Sequence, residues 1–265
     1  MNPSAMTGQG NNTWFLDGTE PTLIDAGVGV PEHVQAIAQA LGGRALKRVL
    51  VTHSHADHSS GIPALRDQWP EVSIFASEAW NGPVAHGPAA HLTIKTQKSI
   101  SAAESIAPLR DGDTVSAGDR ALTVIYTPGH AIDHICFWDA LSRDLYSGDM
   151  VVRGSTVMIP ATRGGGLRAY LSSLERLAAL KPARIYPGHG PVINDPLEVI
   201  ATYIEHRRMR DAQVAACLAD GIRDPDAIVA RIYPDLAPGL HAAARATVEA
   251  HLQKLAEEGT AGPGL

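Results

Sequence analysis

The segment HSHADH, residues 53–58, places three histidines and one aspartate within six positions, directly after the apolar run RVLV. Histidines two positions apart on an extended loop point to the same side, so His53 and His55 can share one metal ion. Asp57 and His58 lie further along the loop, where they are placed for a second ion. Imidazole and carboxylate ligands together suit zinc, with manganese or iron as alternatives. The segment therefore predicts part of a metal site.

Ligand-type residues recur after three later apolar runs. His130 follows LTVIYTPG, Asp149 follows DLYSG, and His189 follows ARIYPG. Sites in α/β proteins form at the edge where strands end, and the glycine beside each of these residues permits a sharp turn of the backbone. We therefore expect all three side chains to reach the HSHADH loop.

The segment TPGHAIDH contains two further candidates. His134 is predicted to be a catalytic residue together with Asp57 and Asp149. Asp133 is a candidate contact to the substrate or to the metal ligands. A structural role of His134 and Asp133 in the turn is the alternative.

Three arginines, Arg207, Arg208 and Arg210, cluster in the segment YIEHRRMRDAQ. A contact of these arginines with a phosphate group is one interpretation. We expect instead a solvated helix face on which they pair with Glu205 and Asp211, since oppositely charged neighbours stabilise an exposed helix.

Strands that end at a common edge are needed to position the candidate ligands, and the sequence predicts such strands. Short β-like runs alternate with helical stretches up to about residue 193, and TWFLDG and TLIDAG predict two paired strands around Asp17-Gly18. PEHVQAIAQALGG and GGLRAYLSSLERLAALKP place apolar residues at helical spacing. This alternation favours an α/β fold in which helices cover a sheet.

The pattern becomes helical after about residue 195. DPLE at residues 195–198 predicts a helix start with a capping box, and a second helix begins at residues 224–225. A third helix runs through HAAARATVEAHLQKLAEEG, with its apolar residues predicted to face inward: Leu240, Ala244, Val248, Leu252 and Leu255. We therefore divide the chain into a catalytic domain, residues 1–195, and a small helical domain, residues 196–265.

The bulk composition limits the classes of function. The 265-residue chain has a net charge of −6 and two cysteines, Cys136 and Cys217, without disulfide or metal-type spacing. No run approaches the roughly 18 apolar residues of a membrane span, and MNPSAMTGQGNNT lacks the basic start and apolar core of a secretory signal. We expect a reduced, cytoplasmic protein with no membrane partner and no strongly basic surface for nucleic acid.

The motifs HSHADH, TPGH, SGD and PGHG, in this order and spacing, resemble those of the metallo-β-lactamase superfamily over about the first 195 residues. The resemblance implies an αββα sandwich hydrolase in which two ions, most simply Zn²⁺, share and activate a bridging hydroxide, with Asp57 also orienting it. It further implies these ligands: His53, His55 and His130 for one ion, Asp57, His58 and His189 for the other, and Asp149 as a bridge between both.

A narrower resemblance extends through nearly the whole chain. MTGQGNNTWFLDG, TPGHAIDH, YPGHGPVI and YIEHRRMRDAQ are similar to the beta-lactamase-like protein 2 family, whose animal members are single-strand endoribonucleases. That family has a C-terminal winged-helix-like segment, which IYPDLAPGLHAAARATVEAHLQKLAEEG resembles. Asp211 stands where the family has glutamate, and the chain stops at TAGPGL, too early for the second strand of a full wing.

Three functions are compatible with these features: hydrolysis of an ester or thioester, cleavage of single-stranded RNA, and nucleic-acid binding or regulation by the helical domain. Residues 201–265 contain seven Lys and Arg against nine Asp and Glu, whereas a module that binds phosphates is basic. Aromatic residues, 5% of the chain, offer few stacking surfaces for single strands. We therefore predict a metal-dependent hydrolase of a small-molecule substrate rather than of RNA, with a homodimer left open.

Overall fold

Two β-sheets form the centre of the fold. The computed structural model describes residues 10–82, 106–154, 156–159 and 166–259. Within these ranges the chain forms ten strands, which are β1 (Trp14–Leu16), β2 (Thr22–Ile24), β3 (Arg48–Leu50), β4 (Ser73–Ser77), β5 (Ile106–Leu109), β6 (Thr114–Ala117), β7 (Arg120–Tyr126), β8 (Ile135–Asp139), β9 (Asp144–Gly148) and β10 (Arg184–Pro187). One sheet has the order β1-β2-β3-β4-β5, and the other has the order β10-β9-β8-β7-β6.

The strand directions bring the predicted ligand loops to one edge. In the first sheet β2 to β5 run parallel, and β1 pairs antiparallel with β2. In the second sheet β7, β8 and β9 are successively antiparallel, and β10 runs parallel to β9. Strands β7, β9 and β10 therefore point the same way, and the loops that follow them lie at the same edge.

Seven helices accompany the sheets in the described part of the chain. They are α1 (Pro31–Leu41), α2 (Ala56–Ser59), α3 (Ile62–Gln68), α4 (Leu167–Ala179), α5 (Pro196–Ala219), α6 (Pro225–Ile232) and α7 (His241–Glu257), and a single 3₁₀ turn covers Pro238–Leu240. Helix α1 begins with proline at its first position, where no backbone donor is lost, and ends at Gly42, which adopts the left-handed conformation with φ of 59°.

Helices cover the outer faces of both sheets, and this produces the αββα layers that the resemblance implies. Helices α1 and α3 share a core with the first sheet, and α4 and the start of α5 share one with the second. Successive side chains of β8 point to opposite faces of its sheet and so contact both neighbouring layers. Ile135 and Phe137 pack between the sheets, whereas Cys136 and Trp138 pack towards α4. The predicted α/β fold class is confirmed.

Helix α5 takes part in two cores. Ile200 and Tyr203, in its first half, pack with α4, whereas Val214, Cys217 and Leu218, in its second half, pack with α6 and α7. The helical unit is thus joined to the sheet layers by one continuous helix, and the division at residue 195 stays a prediction. No helix among the described residues is long and apolar enough to cross a membrane.

Four local predictions differ from the structure. The predicted pairing of the arginines with Asp211 is wrong, because Asp211 pairs with His251 and Lys254 while Arg208 pairs with Glu175. Arg207 is buried instead of solvated, because it lies on the face of α5 that packs over the ring of Tyr170 in α4. Leu240 is 56% exposed, since it belongs to the 3₁₀ turn and not to α7, so helical spacing does not set its direction. The α5 start is correct, but Asp195 makes no side-chain cap and forms an ion pair with Arg153.

Candidate metal centre

Seven side chains converge at the edge where the ligand-bearing strands end. Their ligand atoms form two groups, each within 4.8 Å: His53, His55, His130 and Asp149 in one, and Asp57, His58 and His189 in the other. The structure thus brings together all seven side chains predicted as ligands, with the six non-bridging ones divided as predicted and Asp149 grouped with the first set. Their role as ligands stays a prediction.

Three imidazole nitrogens of the first group face one another. Nδ1 of His55 lies 2.9 Å from Nε2 of His53 and 3.0 Å from Nε2 of His130. Because Nδ1–H of His130 donates to the carbonyl oxygen of Met158 at 2.9 Å, Nε2 is the ring nitrogen that faces this contact. Tetrahedral zinc with bonds of about 2.0 Å separates its nitrogen ligands by about 3.3 Å, close to the spacing seen.

Asp149 lies between the two groups. Its Oδ2 is 3.4 Å from Nε2 of His189, 3.6 Å from Nε2 of His130 and 4.0 Å from Nε2 of His53. Its Oδ1 is 3.4 Å from Nε2 of His58. One carboxylate therefore faces both groups, as a bridging ligand must.

Two buried atoms of the cluster make no hydrogen bond to the described residues. Nε2 of His58 and Oδ1 of Asp149 are 3.4 Å apart but are not aligned for a hydrogen bond. Leaving a buried polar atom unpaired costs about 1–3 kcal/mol, and a cation between these atoms would satisfy both. Oδ2 of Asp57 approaches the same place, 3.2 Å from Nε2 of His189 and 3.7 Å from Nε2 of His58. The donor set fits a divalent ion in each group.

The first group is electrically prepared for an ion because two of its histidines are neutral. Burial and the nearby His58 lower the pKa of His53 well below its usual value. Burial and the nearby His130 lower the pKa of His55 to about 4. An ion bound here at neutral pH would displace no proton from His53 or His55.

The second group favours protonated histidines, in contrast to the first. Burial opposes the charged form of His58, but the carboxylates of Asp149 and Asp25 raise its pKa well above its usual value. Burial also opposes the charged form of His189, but hydrogen bonds to Asp149 and Asp57 raise its pKa to about 10. A divalent cation in this group would therefore replace protons.

Groups behind the cluster orient the far ring nitrogens. Nδ1–H of His189 donates to the carbonyl oxygen of Gly10 at 3.1 Å, and Nδ1–H of His58 donates to Oδ2 of Asp25 at 2.7 Å. Such contacts fix the tautomer and the ring direction of a metal-ligating histidine. Asp25 was not among the residues predicted from the sequence. The signal was present, because Asp25 directly follows the apolar strand β2, as the ligands follow theirs.

We expect Asp25 to be needed for tight binding of an ion by the second ligand group. The side chain is buried and also accepts hydrogen bonds from Thr52, 2.8 Å from its backbone nitrogen and 3.0 Å from its hydroxyl. Asp25→Asn replaces an acceptor of Nδ1–H of His58 by an amide, and we expect metal affinity to fall about 10- to 100-fold. Competition with a chromophoric chelator measures this. The exposed Asp67→Asn serves as the control, and an unchanged affinity of Asp25→Asn would contradict the assignment.

His134 lies behind Asp149 and has no exposed surface. Its Nδ1 contacts the hydroxyl of Thr127 at 2.9 Å, and its Nε2 accepts the backbone N–H of Asp149 at 3.1 Å. Both ring nitrogens are engaged, so this geometry supports a positioning role and not the catalytic role predicted for His134. Asp133 also supports the site, because its Oδ2 accepts the backbone N–H of Ser54, within the HSHADH loop, at 3.0 Å.

The glycine of PGHG allows the cluster to close. A Cβ atom on Gly188 would lie 2.4 Å from Oδ1 of Asp149 and 2.7 Å from Cε1 of His58. Both atoms belong to the proposed ligands, so any side chain at this position would displace them. The glycine after β10 is thus required by close approach to the centre.

Comparison with known proteins assigns this geometry to a family. The sequence profile described as Metallo-beta-lactamase superfamily matches residues 6–189. The chain belongs to this superfamily. A second profile, the Beta-lactamase associated winged helix domain, matches residues 225–261. As a metallo-β-lactamase superfamily member with this His/Asp cluster, the protein is a metal-binding hydrolase.

Three similar proteins align with most of the length of this chain. The Beta-lactamase-like protein 2 homolog of Caenorhabditis elegans is 30% identical over 97% of this chain and 82% of its own length. Thioesterase pkgB of Emericella nidulans is 31% identical over 82% of this chain and 57% of its own length. The crystal structure of a Beta-lactamase domain protein from Burkholderia ambifaria has a TM-score of 0.79 at 22% identity, covering 97% of this chain and 84% of that chain, and shows the shared fold.

Proposed function

We propose that the protein hydrolyses an ester or thioester of a small molecule with the help of two divalent ions. The observation that carries the proposal is the position of Asp149, whose carboxylate lies 3.4–4.0 Å from imidazole nitrogens of both ligand groups. This placement supports two ions in one centre. When bound, such ions lower the pKa of a shared water towards neutrality and stabilise the negative charge that develops on the substrate.

The chain's own residues hold and orient the reacting groups. Asp149 fixes the separation of the two ligand groups, and Asp57, on α2, reaches the second group from the loop side with Oδ2 3.2 Å from Nε2 of His189. Water is the expected nucleophile, because both cysteines are buried and burial raises the pKa of Cys136 to about 12. We expect Asp57 to accept a hydrogen bond from the attacking water and to direct its lone pair at the substrate carbonyl.

The ester or thioester class is supported by a relative and by the arginines of α5. One relative, 31% identical, is named a thioesterase. The arginine cluster does not form a free basic surface for RNA: Arg207 is buried, Arg208 pairs with Glu175 at 3.0 Å, and Arg210 lies over the ring of Tyr233 at 4.2 Å. Cleavage of single-stranded RNA is the second candidate, favoured by the similarity to a beta-lactamase-like protein 2 homolog.

The ions are proposed to be zinc, with manganese or iron as alternatives. Imidazole and carboxylate ligands of the kind assembled here accept all three metals. A cytoplasmic location and a homodimer stay predictions.

Metal removal and substrate choice test the proposed function together. The purified protein, with its metal content measured, is assayed in parallel on a thioester, a lactone, a β-lactam and single-stranded RNA, before and after chelation. We expect thioester or ester turnover that chelation abolishes and that added Zn²⁺ restores, with the RNA left intact. Cleavage of RNA alone would replace the substrate class, and activity that survives complete metal removal would refute the metal-dependent function.

A further inference from the structure

The segment from Asp149 to Met158 connects two parts of the proposed metal centre. The Asp149 carboxylate lies between the ligand groups at its start, and the Met158 carbonyl accepts Nδ1–H of His130 at 2.9 Å near its end. The described residues of this segment, 149–154 and 156–159, form neither strand nor helix. Side chains of other elements must therefore hold the segment in place.

Two residues of α5 hold the segment at separate points. The Tyr203 hydroxyl donates to the carbonyl oxygen of Val152 at 2.9 Å and accepts its backbone N–H at 3.3 Å. Nη2 of Arg207 donates to the carbonyl oxygen of Val157 at 2.5 Å and to the hydroxyl of Thr156 at 3.2 Å. Because Tyr203 and Arg207 are four positions apart, they lie on the same face of the helix.

Arg207 is a charged side chain buried on the face of α5 that packs against α4. Arg207 is 3% exposed, and among the described residues no carboxylate forms an ion pair with it. Burying a charge without an opposite charge is costly, even with the Tyr170 ring 5.7 Å away. Docking of α5 does not require the guanidinium, since Ile200 and Tyr203 already pack in the core that includes α4. The guanidinium instead donates a hydrogen bond to the carbonyl oxygen of Val157, the residue before Met158. This contact is a reason for the charge to be buried here.

We propose that Arg207 and Tyr203 are positioning residues of the metal centre. They hold Val152, Thr156 and Val157 so that the Asp149 carboxylate and the Met158 carbonyl stay fixed relative to His130. The inference rests on the proposed metal-dependent function and adds that α5, which leads into the appended helical unit, supports the site. Without this support the ring of His130 loses its fixed direction, and the first ligand group binds its ion more weakly.

Metal affinity measured on three variants tests the inference. Arg207→Met removes the donors and retains an apolar stem, Tyr203→Phe removes only the hydroxyl, and Arg208→Met is the matched control at the exposed neighbour. We expect Arg207→Met to bind at least one ion about 10-fold more weakly, Tyr203→Phe to show a smaller loss, and Arg208→Met to match the wild type. The readouts are Zn²⁺ dissociation constants from chelator competition and the visible absorption of the Co²⁺-loaded protein, which reports ligand geometry.

A conservative variant separates positioning from general stability. Arg207→Lys can still donate to the Val157 carbonyl, so it should recover affinity and Co²⁺ absorption even where its melting temperature stays low. Wild-type affinities in both Arg207→Met and Tyr203→Phe would overturn the inference whatever their melting temperatures, and if Arg207→Met does not fold, Tyr203→Phe decides. A wild-type chain that binds no metal would overturn the proposed function as well, whereas unchanged variants of a metal-binding wild type overturn this inference alone.

Discussion

Asp149→Asn is expected to lower kcat/KM by more than about 1,000-fold. Loss of a contact that only supports a metal ligand lowers activity about 10- to 100-fold, and loss of a ligand shared by both ions should lower it further. Burial opposes ionisation of Asp149, but His58 and His189 hold its pKa well below the usual range. At pH 7 the substitution therefore removes a full negative charge. The amide has the same size, so the tight packing against Gly188 is retained and the effect is one of charge and ligation.

Turnover and metal content together check the role of Asp149. We expect the number of ions per chain to fall from two to one or fewer, measured by elemental analysis after gel filtration. Asp220→Asn removes an exposed carboxylate that pairs with Arg231 at 2.7 Å, and it should retain wild-type turnover and metal content. A folded Asp149→Asn protein with turnover within tenfold of the wild type would refute the bridging role.

The second ligand group is expected to bind Zn²⁺ about 100-fold more tightly for each unit of rising pH between pH 6 and 8. His189 has a pKa of about 10 and the pKa of His58 is raised well above its usual value, so an ion must displace two protons there. His53 and His55 are neutral over the same range, because their pKa values are lowered, and they release none. Binding of an ion by the first group should therefore depend less on pH than binding by the second.

The sign of the effect follows from the same shifts. Because the pKa values of His58 and His189 are raised, their protonated forms stabilise the metal-free fold at pH values below the ordinary histidine pKa. This stabilisation is lost as the pH rises through the raised pKa values of the folded state. Proton and metal compete for the same nitrogens, so acid favours the metal-free fold and releases the second ion.

Calorimetric titration in buffers of different ionisation enthalpy counts the protons released per ion. In His189→Gln, Zn²⁺ binding at the second site should tighten only about 10-fold per pH unit, compared with about 100-fold in the wild type. The reason is that the variant has one displaced proton fewer. The exposed His241→Gln should leave the slope unchanged. Two sites with equal and flat pH dependence would contradict the charge assignment.

Much of the fold was predictable because the signals are local. Short stretches of sequence were enough to predict several elements that the structure confirms. These are α1 and α4 from their apolar spacing, the starts of α5 and α6 from their prolines, and the antiparallel pair β1-β2. Strands β5, β6 and β8 were not predicted. Strands β5 and β6 are edge strands, the first with Pro108 within it, and β8 is buried on both faces, so its sequence ICFWD does not alternate.

The sequence by itself determined the ligand types and their order, because each candidate ligand follows an apolar strand and a strand end fixes where the next residues lie. The tertiary structure decided which nitrogen of each histidine faces the centre, and it revealed Asp25 and Arg207 as supports. These contacts join residues far apart in the chain, such as His189 and Gly10, 179 positions away. No local pattern encodes such a contact, since it depends on how the two sheets and α5 pack together.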